Sequence, residues 1–480
     1  MSKQDQKELR QQIACEWLEE NYLNYGSLRH DVVTDRLQIR MADSLEDASL
    51  QNAPEGLQFR GKENWRNLTD KDINTMVCQC VAEKGVNIST NEMWTALKSD
   101  MVPAVHPLRA WLNGLRPYTA DQPDWIDLVA QKVTVKPSLL SDDRPKGLLD
   151  RTSCCETTAL RDRTEGAERP MESLREPRER SKADRLWRAC FKKWFVAMVA
   201  SWMKDEVVNH TVLVLVGRQG IFKTTWLDNL IPPELRAYSS KLPLSGQISK
   251  DDRLRLCENG MLNIDELDAM CGREMNIVKS LLTSTDVNER AAYGRLKERR
   301  VRLASFCAST NKREFLTDIT GNRRWLPFEV GSIQNPFHTI IPYERLYAQA
   351  KALVEEGIFS YWFDMEEMEV LEAHNEEFRA LENEEQLLPI LFDIPAEGKG
   401  EFMTTAEISD KLVTYGGIKK PMNSRKLGML LSKRGYTKRT MYISGTMVRG
   451  WIVYQREADE IKLVKKRENV LTSLQPDNLF

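Results

Sequence analysis

Followed for its apolar and polar positions, the chain changes character most sharply at residues 211–230, TVLVLVGRQGIFKTTWLDNL. Residues 211–216 are a continuous apolar, β-branched-rich run, as expected of a strand covered on both faces in a parallel sheet. The run stops at Gly217, and Trp226, Leu227 and Leu230 then mark the buried stripe of a helix. Upstream, residues 1–137 read mainly as helix. Residues 15–23 are amphipathic, Thr69 and Asp72 stand at N-cap and capping-box positions, and 90–99 and 124–133 have helical spacing. Residues 28–41 alternate about Thr34-Asp35 and predict one hairpin, while Trp65, Trp94, Trp111 and Trp125 are expected as core anchors. Residues 184–203 place Leu186, Cys190, Trp194, Ala197, Met198 and Trp202 on one helical face.

Beyond the central run, residues 261–264 and 303–309 predict two more buried strands, and 364–385 predict an acidic helix acting as a solvated spacer. Residues 404–412 and 425–434 read as helices and 436–454 as two strands about Ser444-Gly445, the order of a winged helix. Lys419, Lys420, Arg425, Lys426, Lys433, Arg434, Lys438, Arg439 and Arg449 give this part a basic face suited to duplex binding. A small oligomerisation or lid domain is the alternative. Between them the patterns predict an α/β protein with a P-loop NTPase core built on a parallel sheet. Its expected parts are a mainly helical N-terminal domain (1–137), a polar flexible linker or insertion (138–183) and the ATPase domain (184–345). A helical acidic connector (346–395), a winged-helix-like domain (396–457) and a tail (458–480) follow.

Composition adds bounds. At 480 residues the chain exceeds one comfortable core. A net charge of −2 gives no global field for nucleic acid, so any DNA contact must come from local patches. No apolar stretch is long enough to cross a bilayer, and the N-terminus lacks a secretory signal, so a cytoplasmic protein without membrane contact is expected. The nine cysteines and five histidines form no metal-ligand spacing.

The candidate chemistry lies at the strand ends. Gly217, Gly220, Lys223 and Thr224 follow the first strand in the order of a phosphate-binding loop, with Ile221, Phe222 and Thr225 in the same segment. There the backbone N–H groups would face the phosphates of ATP, Lys223 would reach the β/γ-phosphates, and the Thr224 hydroxyl would ligate Mg²⁺. Phe222 stands where a glycine is usual, and Gly220 is expected to supply the bend. Asp265 and Glu266 end the second strand, the first to hold Mg²⁺ and the second to orient and deprotonate water. Asn311 ends the third, placed to touch the γ-phosphate, so all three ends are expected to converge. Arg323 and Arg324 are candidates for neutralising the transferring phosphoryl group, from a neighbouring subunit in a ring, against the alternative of a surface pair. Residues 288–302, with Arg290, Arg295, Lys297, Arg299 and Arg300 about Tyr293-Gly294, fit either a DNA phosphate contact or a solvated face.

The order GRQGIFKTT, LNIDELD, YGR, STN and FLTDITGNRRW closely resembles the virulence-associated protein E domain, a superfamily 3 helicase-like ATPase of phages and mobile elements. LRHDVVTDRLQIR, WRNLTDKDIN and VPAVHPLRAWL resemble the region that precedes it. The resemblance implies ATP hydrolysis coupled to DNA unwinding or translocation in replication of a mobile element, on single-stranded or forked DNA. The implied partners are further copies of the chain, as in a hexamer, and a primase. It carries over Lys223, Thr224, Asp265, Glu266, Asn311 and Arg323 or Arg324. The other reading is an ATP-gated DNA-binding regulator or phage-interference factor that never unwinds.

Overall fold

The computed structural model describes residues 3–40, 65–137, 181–242, 249–265, 267, 272–289, 298–316, 322–395, 400–419, 421–443 and 445–464. The linker expected at 138–183 lies outside them except for residues 181–183, as do Glu266, Lys420, Ser444, residues 290–297 and most of the tail.

The hairpin about Thr34-Asp35 forms, with β1 (Leu28–Asp31) antiparallel to β2 (Arg36–Arg40). β3 (Trp65–Asn67) adds to β2, and β4 (Ala104–Val105) runs parallel to β1, completing a four-stranded sheet. Helices still make up most of the region, and the sheet adds β3 and β4 to the expected hairpin; strands of two and three residues are too short to display a period of two. The capping box on helix Asp70–Lys84 is present, and Gly85 ends that helix at φ +64. Trp17, Ile73, Met93 and Leu97 form the local core.

β5 (Val133–Val135), β6 (Val212–Val216), β7 (Ser239–Lys241), β8 (Met261–Ile264), β11 (Ser305–Thr310) and β12 (Trp325–Ile333) make the main sheet, in the order β5-β12-β6-β11-β8-β7. Five strands are parallel, and β5 closes one edge antiparallel to β12. β5 lies in the stretch expected to form the separate N-terminal domain. β9 (Asp286–Glu289) and β10 (Glu298–Val301) pair apart from this sheet. Val212–Val216 are buried without exception because β6 has neighbours on both edges and cover on both faces.

Helix Lys182–Met203 is pinned to its surroundings by three indoles: Trp187, Trp194 and Trp202 donate to Ala130 O (3.0 Å), Phe306 O (2.9 Å) and Gly260 O (3.1 Å). It is buried on nearly every side, with Phe191, Phe195 and Lys193 inside as well as the expected stripe. The large tryptophan anchors are Trp17, Trp187, Trp194, Trp202, Trp226 and Trp325, whereas Trp65, Trp94, Trp111 and Trp125 are only half-buried. Arg302, fully buried, donates to the carbonyls of Leu281, Leu282, Ser284, Ala304 and Asn209.

The chain divides into two compact units, Met1–Arg313 with Arg323–His374, and Glu314–Asn322 with Asn375–Phe480. In the second, β16 (Thr446–Gln455) pairs antiparallel with β13 (Phe392–Asp393), β14 (Glu401–Thr404) and β15 (Thr437–Ile443). Helices Thr405–Gly416 and Ser424–Lys433 stand between β14 and β15 in sequence and bury Leu412, Leu427, Leu430 and Leu431 with Trp451. The acidic stretch expected as one solvated helix is instead helix Met365–Asn375, a 3₁₀ turn Glu376–Phe378 and helix Asn383–Leu391. Several of its charges are buried and paired: Glu367 with Lys193 at 2.9 Å in the first unit, Glu385 with Arg379 in the second. The neutralising partner of Glu367 lies far away along the chain, which a local charge count does not register.

Candidate functional site

β6, β11, β8 and β7 are adjacent and parallel, so their carboxyl ends share one edge of the sheet. Gly217 leaves β6 there, and a Cβ on it would meet Ile221 Cδ1 and Val330 O at 3.0 Å each. The loop turns through Gly220 at φ +85 and then Phe222 at φ +67. Gly220 thus does not supply the bend alone. Phe222 itself takes the left-handed conformation, at a cost of roughly 1–3 kcal/mol for a side-chain-bearing residue. Its ring meets Phe337 edge-on, centroids 6.2 Å apart. Residues 218–220 are exposed, so the loop opens to solvent.

Immediately after Phe222, the Lys223 ammonium donates to Gly217 O (2.8 Å), Arg218 O (2.7 Å) and Asn311 Oδ1 (3.0 Å). Thr224 Oγ1 donates to Asp265 Oδ1 at 3.1 Å and lies 3.0 Å from Ser309 Oγ, which also donates to Asp265 Oδ1 at 3.0 Å. The Lys241 ammonium holds the other carboxylate oxygen at 2.7 Å. Burial alone would raise the Asp265 pKa, but the hydrogen bonds from Lys241 and Ser309, the charge of Lys241 and the Thr224 bond outweigh it and hold the carboxyl below its usual range. Behind them, Asn263 Nδ2 donates to Asp228 Oδ1 at 2.6 Å and ties β8 to helix Lys223–Asp228.

Gly217, Lys223, Thr224, Asp265 and Asn311 thus meet at one place. Thr225 continues the helix, its carbonyl accepting from Asn229 N at 3.0 Å. Lys241 and Ser309 join the cluster from outside the candidates that the sequence pattern marks. Ser309 lies in β11 two residues before Asn311, which follows the strand's end, a readable signal, whereas Ser239–Lys241 carries no apolar pattern that marks it as a strand.

Arg323 and Arg324 do not join this cluster. They precede Trp325, which pairs with Val212 at the start of β6, while Gly217 follows Val216 at its end. At about 3.3 Å per residue they lie roughly 20 Å from Gly217 along the sheet. Arg324 sits beside Lys279, whose ammonium is pushed down to about 8 by burial and by that guanidinium. In the basic 288–302 stretch, the described Arg299 pairs with Asp286 and Arg300 with Glu258. Among the described residues no cluster of His, Cys, Asp and Glu could hold a metal ion by itself, and no helix is long and apolar enough to cross a membrane.

Residues 168–380 match the model of the virulence-associated protein E-like domain. The matched segment spans the loop, Asp265, Asn311 and both arginines. No curated protein matches the chain. Among solved structures, the apo NrS-1 C-terminal region (305–718) is 11% identical, covering 91% of this chain and 99% of that one with a TM-score of 0.42. The A-form apo structure of the same region gives 10%, 91%, 99% and 0.41.

Proposed function

We propose that the protein is an ATP-hydrolysing DNA helicase or translocase acting in replication of a phage or mobile genetic element, with a P-loop core in its first unit. The observation that carries this reading is the meeting of three strand ends: Lys223 on Asn311 at 3.0 Å, and Thr224 on Asp265 at 3.1 Å. The fit to a nucleotide follows from the residues present. Gly220 has open space where a side chain would stand, which leaves room for phosphate against backbone N–H groups. The Thr224 hydroxyl and the Asp265 carboxylate are the hard oxygen donors that Mg²⁺ prefers. Bound Mg²⁺ would neutralise charge on the phosphates. Lys223 binds the β/γ-phosphates, Asn311 orients the terminal one, and Glu266 positions and deprotonates water. Arg323 or Arg324, at the opposite end of the strands, serves the nucleotide of a neighbouring copy in a homo-oligomeric ring such as a hexamer.

The second unit, with two helices between β14 and the β15–β16 hairpin, is read as a winged-helix-like DNA-binding module. Lys419, Arg425, Lys438, Arg439 and Arg449 are exposed on it. By contrast Lys426 and Lys433 are drawn to Glu382 and Glu376, and Arg434 donates to Glu385 O. The DNA expected is single-stranded or forked, and a primase is the natural companion activity. The test is ATP hydrolysis by wild type, Asp265→Asn and Glu266→Gln, with strand displacement on a forked duplex. Hydrolysis unaffected by either substitution defeats the assignment. Hydrolysis or ATP-dependent DNA binding without displacement favours an ATP-gated regulator or interference factor instead.

A further inference from the structure

Beside the phosphate-loop helix lies a cavity of 640 Å³ that the catalytic cluster does not use. Its size falls within the roughly 300–1,000 Å³ of small-molecule sites, which are mostly apolar with a few placed polar groups. Trp111, Trp226, Phe337, Ile340 and Tyr343 contribute its apolar and aromatic lining, and Asn229 and Arg345 are among its polar groups.

Three observations tie it to the phosphate loop. Trp226 and Asn229 belong to the same turns of chain as Thr224, two and five residues on, or about 3 and 7.5 Å along a helix axis. The loop residue Phe222 holds its left-handed conformation with its ring against Phe337, a wall of the cavity. The Trp226 indole Nε1 is buried and finds no acceptor among the described residues, whereas Trp187, Trp194 and Trp202 donate theirs to carbonyls. A buried donor left without an acceptor is costly, on the order of 1–3 kcal/mol, and such groups mark places where something else completes the bond. The other conspicuous feature is that Phe337 and Ile340 are exposed at 74% and 77%. Large apolar side chains held out at the mouth of an aromatic hollow are poorly placed for water and well placed for a flat ring.

We propose that this cavity receives the heteroaromatic base of the nucleoside triphosphate whose phosphates lie on residues 217–224. The inference rests on the nucleotide-binding reading of that loop and adds the subsite that separates a nucleotide from a bare polyphosphate. Phe337 and Ile340 cover the base, and the helix that begins at Lys223 supplies, with its loop, the phosphate end and, at Trp226 and the following Asn229, the base end of one site.

The experiment compares ATP, inorganic tripolyphosphate and adenosine by calorimetry on the full chain, in wild type, Phe337→Ala and Ile340→Asp. Both substituted side chains are exposed, so folding is preserved, which circular dichroism verifies. The expected result is that wild type prefers ATP to tripolyphosphate and that Phe337→Ala narrows the preference about fivefold, the scale of one lost aromatic contact, while Ile340→Asp, which puts a carboxylate at the mouth of the cavity, narrows it as well. Equal affinity for ATP and tripolyphosphate in wild type overturns the base subsite while leaving the phosphate loop standing. A preference for ATP that neither substitution alters also overturns it. Failure of all three ligands to bind removes the loop reading and the subsite together.

Discussion

Replacing Lys223 by methionine removes an ammonium and keeps an unbranched apolar stem, so charge and hydrogen bonding are lost rather than volume. That ammonium sits on Gly217 O, Arg218 O and Asn311 Oδ1 at 2.7–3.0 Å, in a residue only 7% exposed. A phosphate oxygen at about 4 Å and an effective dielectric near 20 would interact with it by about 4 kcal/mol, close to a thousandfold in affinity. Withdrawing from one present acceptor returns roughly 1 kcal/mol, which leaves a loss on the order of a hundredfold in ATP affinity for Lys223→Met. The same change leaves two carbonyls and an amide oxygen at the open loop to water in place of their donor, so unfolding free energy falls by roughly 1 kcal/mol. Titration of a fluorescent ATP analogue with Mg²⁺, beside urea unfolding of the same samples, reads both quantities. An affinity within about threefold of wild type, in a variant that still unfolds cooperatively, would refute the placement of phosphates on this loop.

Lys241→Met removes the cation already on Asp265; for a pair whose lysine side chain is 58% exposed the interaction is about 1 kcal/mol, so Mn²⁺ affinity without nucleotide rises about fivefold by spin-resonance titration, and a fall would show Lys241 assisting rather than competing. His106 Nδ1 accepts from Arg109 N at the start of helix Pro107–Asn113, and burial, then Arg109, pushes its pKa down to about 4. The unfolded imidazole binds its proton at higher pH, so stability is lost as pH falls from about 6.5 to about 4; His106→Asn keeps a capping acceptor and removes that part of the slope in denaturant melts, whereas an unchanged slope contradicts the assignment. Lys438→Ala, Arg439→Ala and Arg449→Ala together weaken duplex binding and flatten its log-salt slope by up to about 2.7, and an unaltered slope counts against a DNA-binding second unit.

How legible all this was depended on length and pattern. β6, β8 and β11 were readable because four to six consecutive buried residues leave a continuous apolar trace, and the loop chemistry followed from where those traces end. The capping box at Thr69 was readable because it is local. β3, β4 and β5 were not, since two or three residues cannot show a period and their pairing is decided by distant partners. Lys241 reaches Asp265 only through the pairing of β7 with β8, which no local pattern marks. Phe222 stands out in the sequence as an irregularity, but nothing in its identity says that the backbone is left-handed at that residue.

The position of the two arginines across the parallel strands from Gly217 has a further consequence. If one of them completes hydrolysis, a single chain owns half a reaction centre and must borrow the rest head-to-tail, an arrangement that either closes into a ring or grows without end. A few copies bearing Arg323→Ala and Arg324→Ala would then silence intact neighbours next to them, so turnover in mixed assemblies would fall faster than the fraction of altered chains.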